Sequence, residues 1–174
     1  MSKVARVPVG TERAPLPPPF LSQGLVVGDV VYCSGQVGAD PATGKLVEGS
    51  IQNRTRQILN NLSAVLEAGG SSLHDAIKVN IFLTDMADFP AVNEVYATFF
   101  SDPKPVSEIQ ALMENCVGLD LQLDAQPFTW TVHYTHHLQV RTCVSVKSLP
   151  LGTDVEIECS GLVTKSGNGR SSRL

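Results

Sequence analysis

The sequence predicts an α+β fold in which two helices lie on one face of a single mixed β-sheet. Two segments repeat their apolar residues at three- and four-residue spacing, which is typical of helices buried on one side. Five shorter segments are rich in β-branched residues or alternate apolar with polar residues, which is typical of strands. Their order along the chain is ββαβαββ. One sheet with both helices on the same face satisfies this order and leaves the other face open to a partner.

The first two strands flank a tight turn. In the run GLVVGDVVYCSG, from Gly24 to Gly35, β-branched residues stand on both sides of Gly28-Asp29, a pair suited to a hairpin. A second turn is predicted at residues 40–44, where proline presets one backbone angle and glycine permits a positive φ. Residues 1–20 are rich in proline and lack periodicity, so we predict a flexible, extended arm.

The two helices follow from their apolar faces. The first lies between Ser50 and Ala68, ends at Gly69-Gly70, and places one set of side chains on its apolar face: Ile51, Ile58, Leu59, Leu62, Val65 and Leu66. The second is predicted to be capped by Asp88 and to end before Pro103. Its apolar face holds Phe89, Val92, Tyr96, Phe99 and Phe100.

Alternation predicts three further strands, at residues 76–84, 142–147 and 155–159. Residues 162–174 are polar and contain glycine, serine and basic residues, so we expect a disordered tail. A single domain then spans residues 21–161. The length of 174 residues also favours one domain with a real core.

Composition excludes several classes of protein. The net charge is −4 and the basic residues are scattered singly, so no basic surface suits a nucleic acid. No apolar run is long enough to span a membrane, and the N-terminus lacks a signal-peptide core, so a cytoplasmic protein is expected. The four cysteines lack metal-ligand spacing and are expected to be reduced.

Much of residues 22–161 resembles the reactive intermediate deaminase family, the YjgF/UK114 proteins also described as L-PSP endoribonucleases. The resemblance rests on the run that begins SGQVGADPATGKLVEG and ends NEVYATFF, together with VRTCVSVKSLP and VEIE. It implies a chorismate-mutase-like subunit, a homotrimer with three clefts between subunits, and hydrolysis of enamines and imines such as 2-aminoacrylate. Those substrates are products of pyridoxal-phosphate enzymes, and the family needs no cofactor or metal to convert them to 2-keto acids and ammonia.

The resemblance also implies which residues form the site. Arg141, in VRTC, matches the arginine that binds the substrate carboxylate, a task suited to a planar guanidinium. Glu156, in VEIE, matches the glutamate that activates water. From the residues alone, Arg141 could be a solvated surface arginine, and Glu156 could belong to the polar face of an alternating strand.

Other positions that line the family cleft are Ser34, Gly35, Asn93 and the backbone of Cys143. Without the resemblance, Ser34 and Gly35 would be turn residues, Asn93 an exposed helix residue and Cys143 a small buried thiol. One position departs from the family, because Leu21 stands where a tyrosine hydroxyl usually lies over the substrate. Leucine cannot donate that hydrogen bond, which affects substrate choice and rate more than the fold.

Two other functions remain open. A trimeric ligand-binding or chaperone-like protein without catalysis would share the fold, and an endoribonuclease is disfavoured by the acidic charge. The histidines at 133, 136 and 137 suggest a zinc site, since clustered histidines can bind zinc. They lack acidic or cysteine partners at a standard ligand interval, so no metal is expected.

Residues 106–139 have no counterpart in the family pattern. Deleting them joins Lys104-Pro105 to Val140-Arg141 and restores it. The segment can be encoded with splice-donor, branch-site and acceptor sequences, so we interpret it as a retained intron; the alternative is a lid over the cleft. Separately, the C-terminal Ser-Arg-Leu resembles a peroxisomal signal, which makes that organelle a second expected location.

Overall fold

The computed structural model describes residues 4–100 and 139–164. Besides short 3₁₀ turns, two α-helices and six strands occur there, in the following chain order: β1 (Arg6–Val9), β2 (Gly24–Val27), β3 (Val30–Cys33), α1 (Ile51–Ala68), β4 (Ala76–Leu83), α2 (Phe89–Phe100), β5 (Val140–Ser145) and β6 (Val155–Leu162). Nearly all of the candidate insert, the histidine cluster, Cys116 and the C-terminal Ser-Arg-Leu lie outside the described residues.

The strands form one mixed sheet in the order β1-β2-β3-β6-β4-β5. Every neighbouring pair is antiparallel except β4 and β5, which run parallel. A parallel pair needs a crossover connection, and α2 lies within the one that joins β4 to β5. The predicted mixed sheet is therefore confirmed.

Both helices lie on one face of this sheet, as predicted. Alternate residues of the central strands point toward α1 and are fully buried, among them Val79, Ile81 and Ile157. The apolar face of α1 meets them with Ile58 and Leu62, which are also fully buried. Burying such aliphatic side chains contributes roughly 1.5–3 kcal/mol each. The core is therefore on the helix side of the sheet.

The opposite side of the sheet, which we call the open face, is partly exposed. Its apolar residues include Val140, Tyr32 and Val144, whose exposed fractions are 63%, 52% and 42%. Polar side chains of β4 and β6 lie among them, including Asn80 and Glu158, which hydrogen-bond at 2.8 Å. An apolar strand surface of this kind in a small subunit is typical of a contact with another protein surface.

The predicted turns are confirmed. Gly28, between β2 and β3, has a φ of +62°, and Gly44 has a φ of +67°. The Asp40 carboxylate accepts hydrogen bonds from the amides of Ala42 and Thr43 at 3.0 and 2.9 Å. The first turn aligns β2 with β3, and residues 34–36 continue directly from β3 toward β6.

Three details of the prediction were wrong. The N-terminal segment is not an unpaired arm, because β1 pairs with β2 along four residues. The last strand runs to Leu162, and the amides of Val163 and Thr164 bond to Asp29 and Gly70, so the tail cannot begin at residue 162. Before α2, Asp85 caps the short 3₁₀ turn Met86–Asp88 by accepting from the Ala87 amide at 2.9 Å, and no described hydrogen bond links the Asp88 side chain to an amide of α2.

Candidate functional site

Arg141 lies on the edge strand β5 and points to the helix side of the sheet. Its partner in the β4–β5 register is Val79, a core residue, and residues opposite each other in a ladder share a face. The guanidinium Nη1 donates to Asn93 Oδ1 at 2.8 Å. Its carbon lies 4.7 Å from the ring centroid of Tyr96 and 5.6 Å from that of Phe89. We call these four residues the arginine cluster.

Helix α2 supplies the other three members of this cluster because of their spacing. Phe89, Asn93 and Tyr96 are four and three positions apart, which places them on one side of a helix. The Tyr96 hydroxyl donates to Gln139 Oε1 at 2.9 Å. Burial raises the pKa of Tyr96 to about 12, so the phenol stays neutral.

Cys143 follows Arg141 on the same face of β5 and is half-buried. Burial raises the pKa of its thiol, and the nearby Arg141 charge only partly opposes this. A thiol with a raised pKa is a poor nucleophile. Its side chain therefore helps to pack the arginine cluster, whereas a thiolate attack is disfavoured.

Glu156 lies on β6, and its side chain occupies the open face. Its neighbours Val155 and Ile157 are fully buried on the helix side, so alternation directs Glu156 the other way. Burial raises the pKa of its carboxyl group, and the like charge of Glu158 raises it further. Such a carboxyl group is suited to exchange a proton with a substrate or water.

Gly35 lies directly against this carboxylate. A Cβ at position 35 would stand 2.0 Å from Glu156 Oε1, closer than any side chain could tolerate. Gln36, the next residue, holds Gly35 beside Glu156, because the amide and carbonyl of Gln36 bond to the backbone of Ile157 at 2.9 and 3.1 Å. Only glycine at position 35 allows the carboxylate to lie there.

Ser34 completes what we call the glutamate cluster, with Gly35 and Glu156. Its hydroxyl donates to the carbonyl oxygen of Ser22 at 2.6 Å, so the proton of this hydroxyl is already committed. An open pocket of about 360 Å³ lies beside Ser34 and is also lined by Phe20, Leu21 and Tyr32. Leu21 is 53% exposed at this pocket.

The two clusters lie on opposite faces of the sheet. Arg141 faces the helices, whereas Glu156 occupies the open face, and β4 separates their strands. Two strand spacings amount to roughly 10 Å, in addition to the thickness of the sheet. The structure therefore brings Arg141 together with Asn93 and Cys143, and Glu156 together with Gly35, whereas no described hydrogen bond joins Ser34 to Glu156. It does not bring the arginine and the glutamate of one chain together.

Sequence reasoning missed the aromatic part of the arginine cluster. Phe89 and Tyr96 were assigned to the apolar core because their spacing fits a buried helix face. Their spacing from Asn93, a predicted site residue, was the available signal. When a polar site residue lies between two aromatic residues on one side of a helix, the aromatic residues can belong to the site as well as to the core.

The described ranges hold neither a cluster of metal ligands nor a helix that could span a membrane. No three histidine, cysteine or acidic side chains within residues 4–100 and 139–164 are grouped as metal ligands would be. In that part of the chain neither helix has the length and apolar character needed to cross a bilayer. Cys33, Cys143 and Cys159 are free thiols.

Comparison with known proteins identifies relatives of the chain. The family model described as Endoribonuclease L-PSP matches residues 11–116. The chain is 40% identical over 106 residues to 2-iminobutanoate/2-iminopropanoate deaminase of Dermatophagoides farinae, which covers 61% of this chain and 83% of that protein. It is 36% identical over 160 residues to Protein mmf1, mitochondrial, of Schizosaccharomyces pombe, which covers 90% of this chain and 76% of that protein.

A solved structure also matches this fold. The crystal structure of Escherichia coli TdcF with bound serine has a TM-score of 0.65 and 31% sequence identity, and the match covers 89% of this chain and 97% of that one.

Proposed function

Because the chain belongs to the Endoribonuclease L-PSP family, the family of the reactive intermediate deaminases, we propose that it hydrolyses 2-imino acids and their enamine forms. The products are the 2-keto acid and ammonia. The observation that carries this proposal is the pair of clusters: a half-buried carboxyl group with a raised pKa and an exposed, oriented guanidinium. Together they provide the proton exchange and the carboxylate binding that this reaction needs.

Arg141 binds the substrate carboxylate. Within the described residues its guanidinium makes a single hydrogen bond, to Asn93, so other N–H groups remain for a ligand. Two parallel N–H bonds to a carboxylate are shorter and stronger than bonds between neutral groups. The arrangement anchors a 2-imino acid by its one permanent charge and leaves its C2 atom free to react.

Glu156 exchanges protons at C2. The ionised carboxylate removes a proton from water as the water oxygen bonds to C2 of the protonated imine, which gives a tetrahedral amino alcohol. The carboxyl group then returns that proton to the amino nitrogen. Ammonia leaves as the C–N bond breaks and takes the proton of the hydroxyl group, which gives the keto group and an ammonium ion. The net reaction consumes one water and releases one ammonium ion.

The site is shared between subunits. Since Arg141 and Glu156 of one chain lie on opposite faces of the sheet, a small substrate contacts both only if a second subunit supplies one of them. The exposed apolar residues of the open face suit such a contact. A head-to-tail interface of this kind closes into a ring, and the family resemblance favours a ring of three.

An endoribonuclease is the second candidate, because the matching family model carries that description. The net charge of −4 and the single arginine in the described site argue against it, since RNA binding depends on several phosphate contacts. A non-catalytic binding protein is the third candidate, and the observation that favours it is Leu21 in the place of the usual tyrosine.

The deciding experiment supplies 2-iminobutanoate from threonine through a pyridoxal-phosphate dehydratase. Release of 2-oxobutanoate and ammonia is followed with and without the purified full-length chain. We expect the wild-type chain to accelerate release, and both Arg141→Ala and Glu156→Gln to abolish the acceleration while keeping the fold. A wild-type chain that binds 2-oxobutanoate without accelerating hydrolysis would be a binding protein, and cleavage of single-stranded RNA would favour the endoribonuclease.

A further inference from the structure

We propose that Tyr96 and Phe89 are positioning residues that hold the guanidinium of Arg141 in the orientation needed to bind a carboxylate. This inference rests on the proposed role of Arg141. It adds two residues to the site, neither of which needs to touch the substrate. The supporting observations are the ring distances, the hydrogen bond to Asn93 and the burial of Tyr96.

The rings lie within the range of cation–π contact. Both centroids are within about 6 Å of the guanidinium carbon, the limit for an appreciable attraction, and Tyr96 is the nearer at 4.7 Å. A planar guanidinium on an aromatic ring keeps its N–H groups at its rim. The ring contacts therefore orient the group without using the hydrogen bonds that a carboxylate requires.

Arg141 needs such support because of its place in the sheet. It is exposed, it lies on the edge strand, and its long side chain has many rotamers in solution. Asn93 accepts only one of its N–H bonds, which leaves rotation about that bond possible. Contacts with the two rings remove this freedom before the substrate arrives, so less entropy is lost on binding.

Tyr96 is itself held firmly. It is 7% exposed, its ring stacks on Phe100 with centroids 4.3 Å apart, and its hydroxyl donates to Gln139. Gln139 directly precedes β5, the strand that carries Arg141. The ring is thus fixed both to α2 and to the start of the strand whose arginine it contacts.

The test compares four substitutions in the full-length chain. Tyr96→Leu removes the ring, Tyr96→Phe keeps the ring without the hydroxyl, and Phe89→Leu removes the more distant ring. Phe100→Leu is the matched control, since Phe100 packs on Tyr96 but has no described contact with the guanidinium. Thermal unfolding identifies any variant that fails to fold, and Phe89→Leu then replaces Tyr96→Leu as the decisive variant.

We expect Tyr96→Leu to raise KM for 2-iminobutanoate about tenfold and to change kcat less than about twofold. Phe89→Leu should raise KM about threefold, whereas Tyr96→Phe and Phe100→Leu should stay within about twofold of wild type. An unchanged KM in Tyr96→Leu, or an equal rise in Phe100→Leu, would overturn the proposal, because either result would show that the ring contact has no specific effect.

A second readout does not depend on catalysis. The Arg141 Nε–H signal, assigned by its loss in Arg141→Lys, should show a ring-current shift in wild type and in Tyr96→Phe. In Tyr96→Leu it should move toward the position of a free arginine. If the signal behaves in this way but no imine is hydrolysed, the ring contact stands and the proposed function fails. A signal already at the free position in wild type would refute the ring contact itself.

Discussion

At the scale of single residues, the two glutamates of β6 have different surroundings on the same face. Glu158 accepts a hydrogen bond from Asn80 Nδ2 at 2.8 Å, whereas Glu156 makes no hydrogen bond within the described residues. Partial burial without a donor disfavours the charged form, which explains why the pKa of Glu156 is raised. The environment therefore prepares Glu156 for proton exchange, whereas the Glu158 carboxylate is held by Asn80.

The first prediction concerns Glu158→Gln. Removing its negative charge should lower the pKa of Glu156, since the like charge is the second cause of the increase. In the proposed mechanism Glu156 is ionised when it takes a proton from water, so activity should be lost as the pH falls through its pKa. The acidic limb of the kcat/KM profile should thus move to lower pH in Glu158→Gln. Glu158→Asp keeps the charge and serves as the control; identical limbs in all three proteins would show that another group titrates.

The same raised pKa affects stability in the opposite direction. Between the ordinary glutamate pKa and the raised one, the folded state binds more protons at Glu156 than the unfolded state does. The contribution of this group to the free energy of unfolding therefore decreases as the pH rises through that window. Site chemistry and stability favour different protonation states of the same side chain.

The second prediction concerns Leu21→Tyr. It places a hydroxyl donor at the pocket beside Ser34, and one additional hydrogen bond to the substrate corresponds to roughly a tenfold gain in kcat/KM for 2-iminobutanoate. Leu21→Phe adds the ring without the donor. If the tyrosine and phenylalanine variants behave alike, the hydroxyl has no role in this chain.

At the scale of elements, β1 depends on one buried amide. Gln23 is 3% exposed, and its Oε1 accepts from the Thr11 amide at 2.6 Å. Its Nε2 is within 2.9–3.0 Å of the carbonyl oxygens of Thr11, Ala14 and Pro15. These contacts hold the proline-rich segment against the start of β2. Phe20 and Leu21 follow this segment in the chain and line the pocket beside Ser34.

The third prediction follows from these contacts. Gln23→Met keeps the length of the side chain but leaves buried backbone groups without partners, so it should lower the free energy of unfolding by about 2–4 kcal/mol. The matched control is Gln57→Met, because the part-buried Gln57 amide bonds only to Asn61 among the described residues. Urea unfolding measures both; equal losses would mean that the contacts of Gln23 have no special weight.

At the scale of the whole molecule, the separation of Arg141 from Glu156 predicts complementation. The fourth prediction mixes Arg141→Ala and Glu156→Gln chains, each inactive alone, after unfolding and refolding them together. In a head-to-tail ring each site takes one residue from each of two neighbours, so equal mixing should restore about one quarter of the wild-type sites. No recovery from a mixture that light scattering shows to be trimeric, and that native mass spectrometry shows to contain both chains in one trimer, would mean that the site is not shared. A folded monomer at micromolar concentration would rule out the trimer.

The fifth prediction concerns residues 106–139. Their C-terminal end is separated from Arg141 only by Val140, and a displacement of about 1 Å at a group that binds the substrate can cost about 100-fold in rate. We expect the chain without these residues to be more active and more stable than the full chain, as measured by imine hydrolysis and thermal unfolding. A deletion of residues 106–138 keeps Gln139, the acceptor of the Tyr96 hydroxyl, and controls for that contact. Higher activity in the full chain, with transcripts that retain the segment, would identify it as a functional lid.

The sequence by itself determined the elements that depend on local periodicity. The apolar face of α1, the alternation of β4 and β6, and the glycine turn at Gly28 are all visible within a few neighbouring residues. The family resemblance supplied the candidate site residues. Local pattern also predicted which side chains of each strand are buried against the helices, because the alternation that is typical of a strand places its apolar residues on one face of the sheet.

Only the tertiary structure decided the rest. Strand β1 has no local signal, since its formation depends on pairing with β2 and on the Gln23 amide twelve positions after Thr11. The places of Arg141 and Glu156 depend on strand order and register, which bring residues far apart in sequence into one ladder. The contact of Arg141 with Tyr96 depends on how α2 packs against β5. These are long-range contacts, and no local pattern specifies which distant residue a side chain will meet.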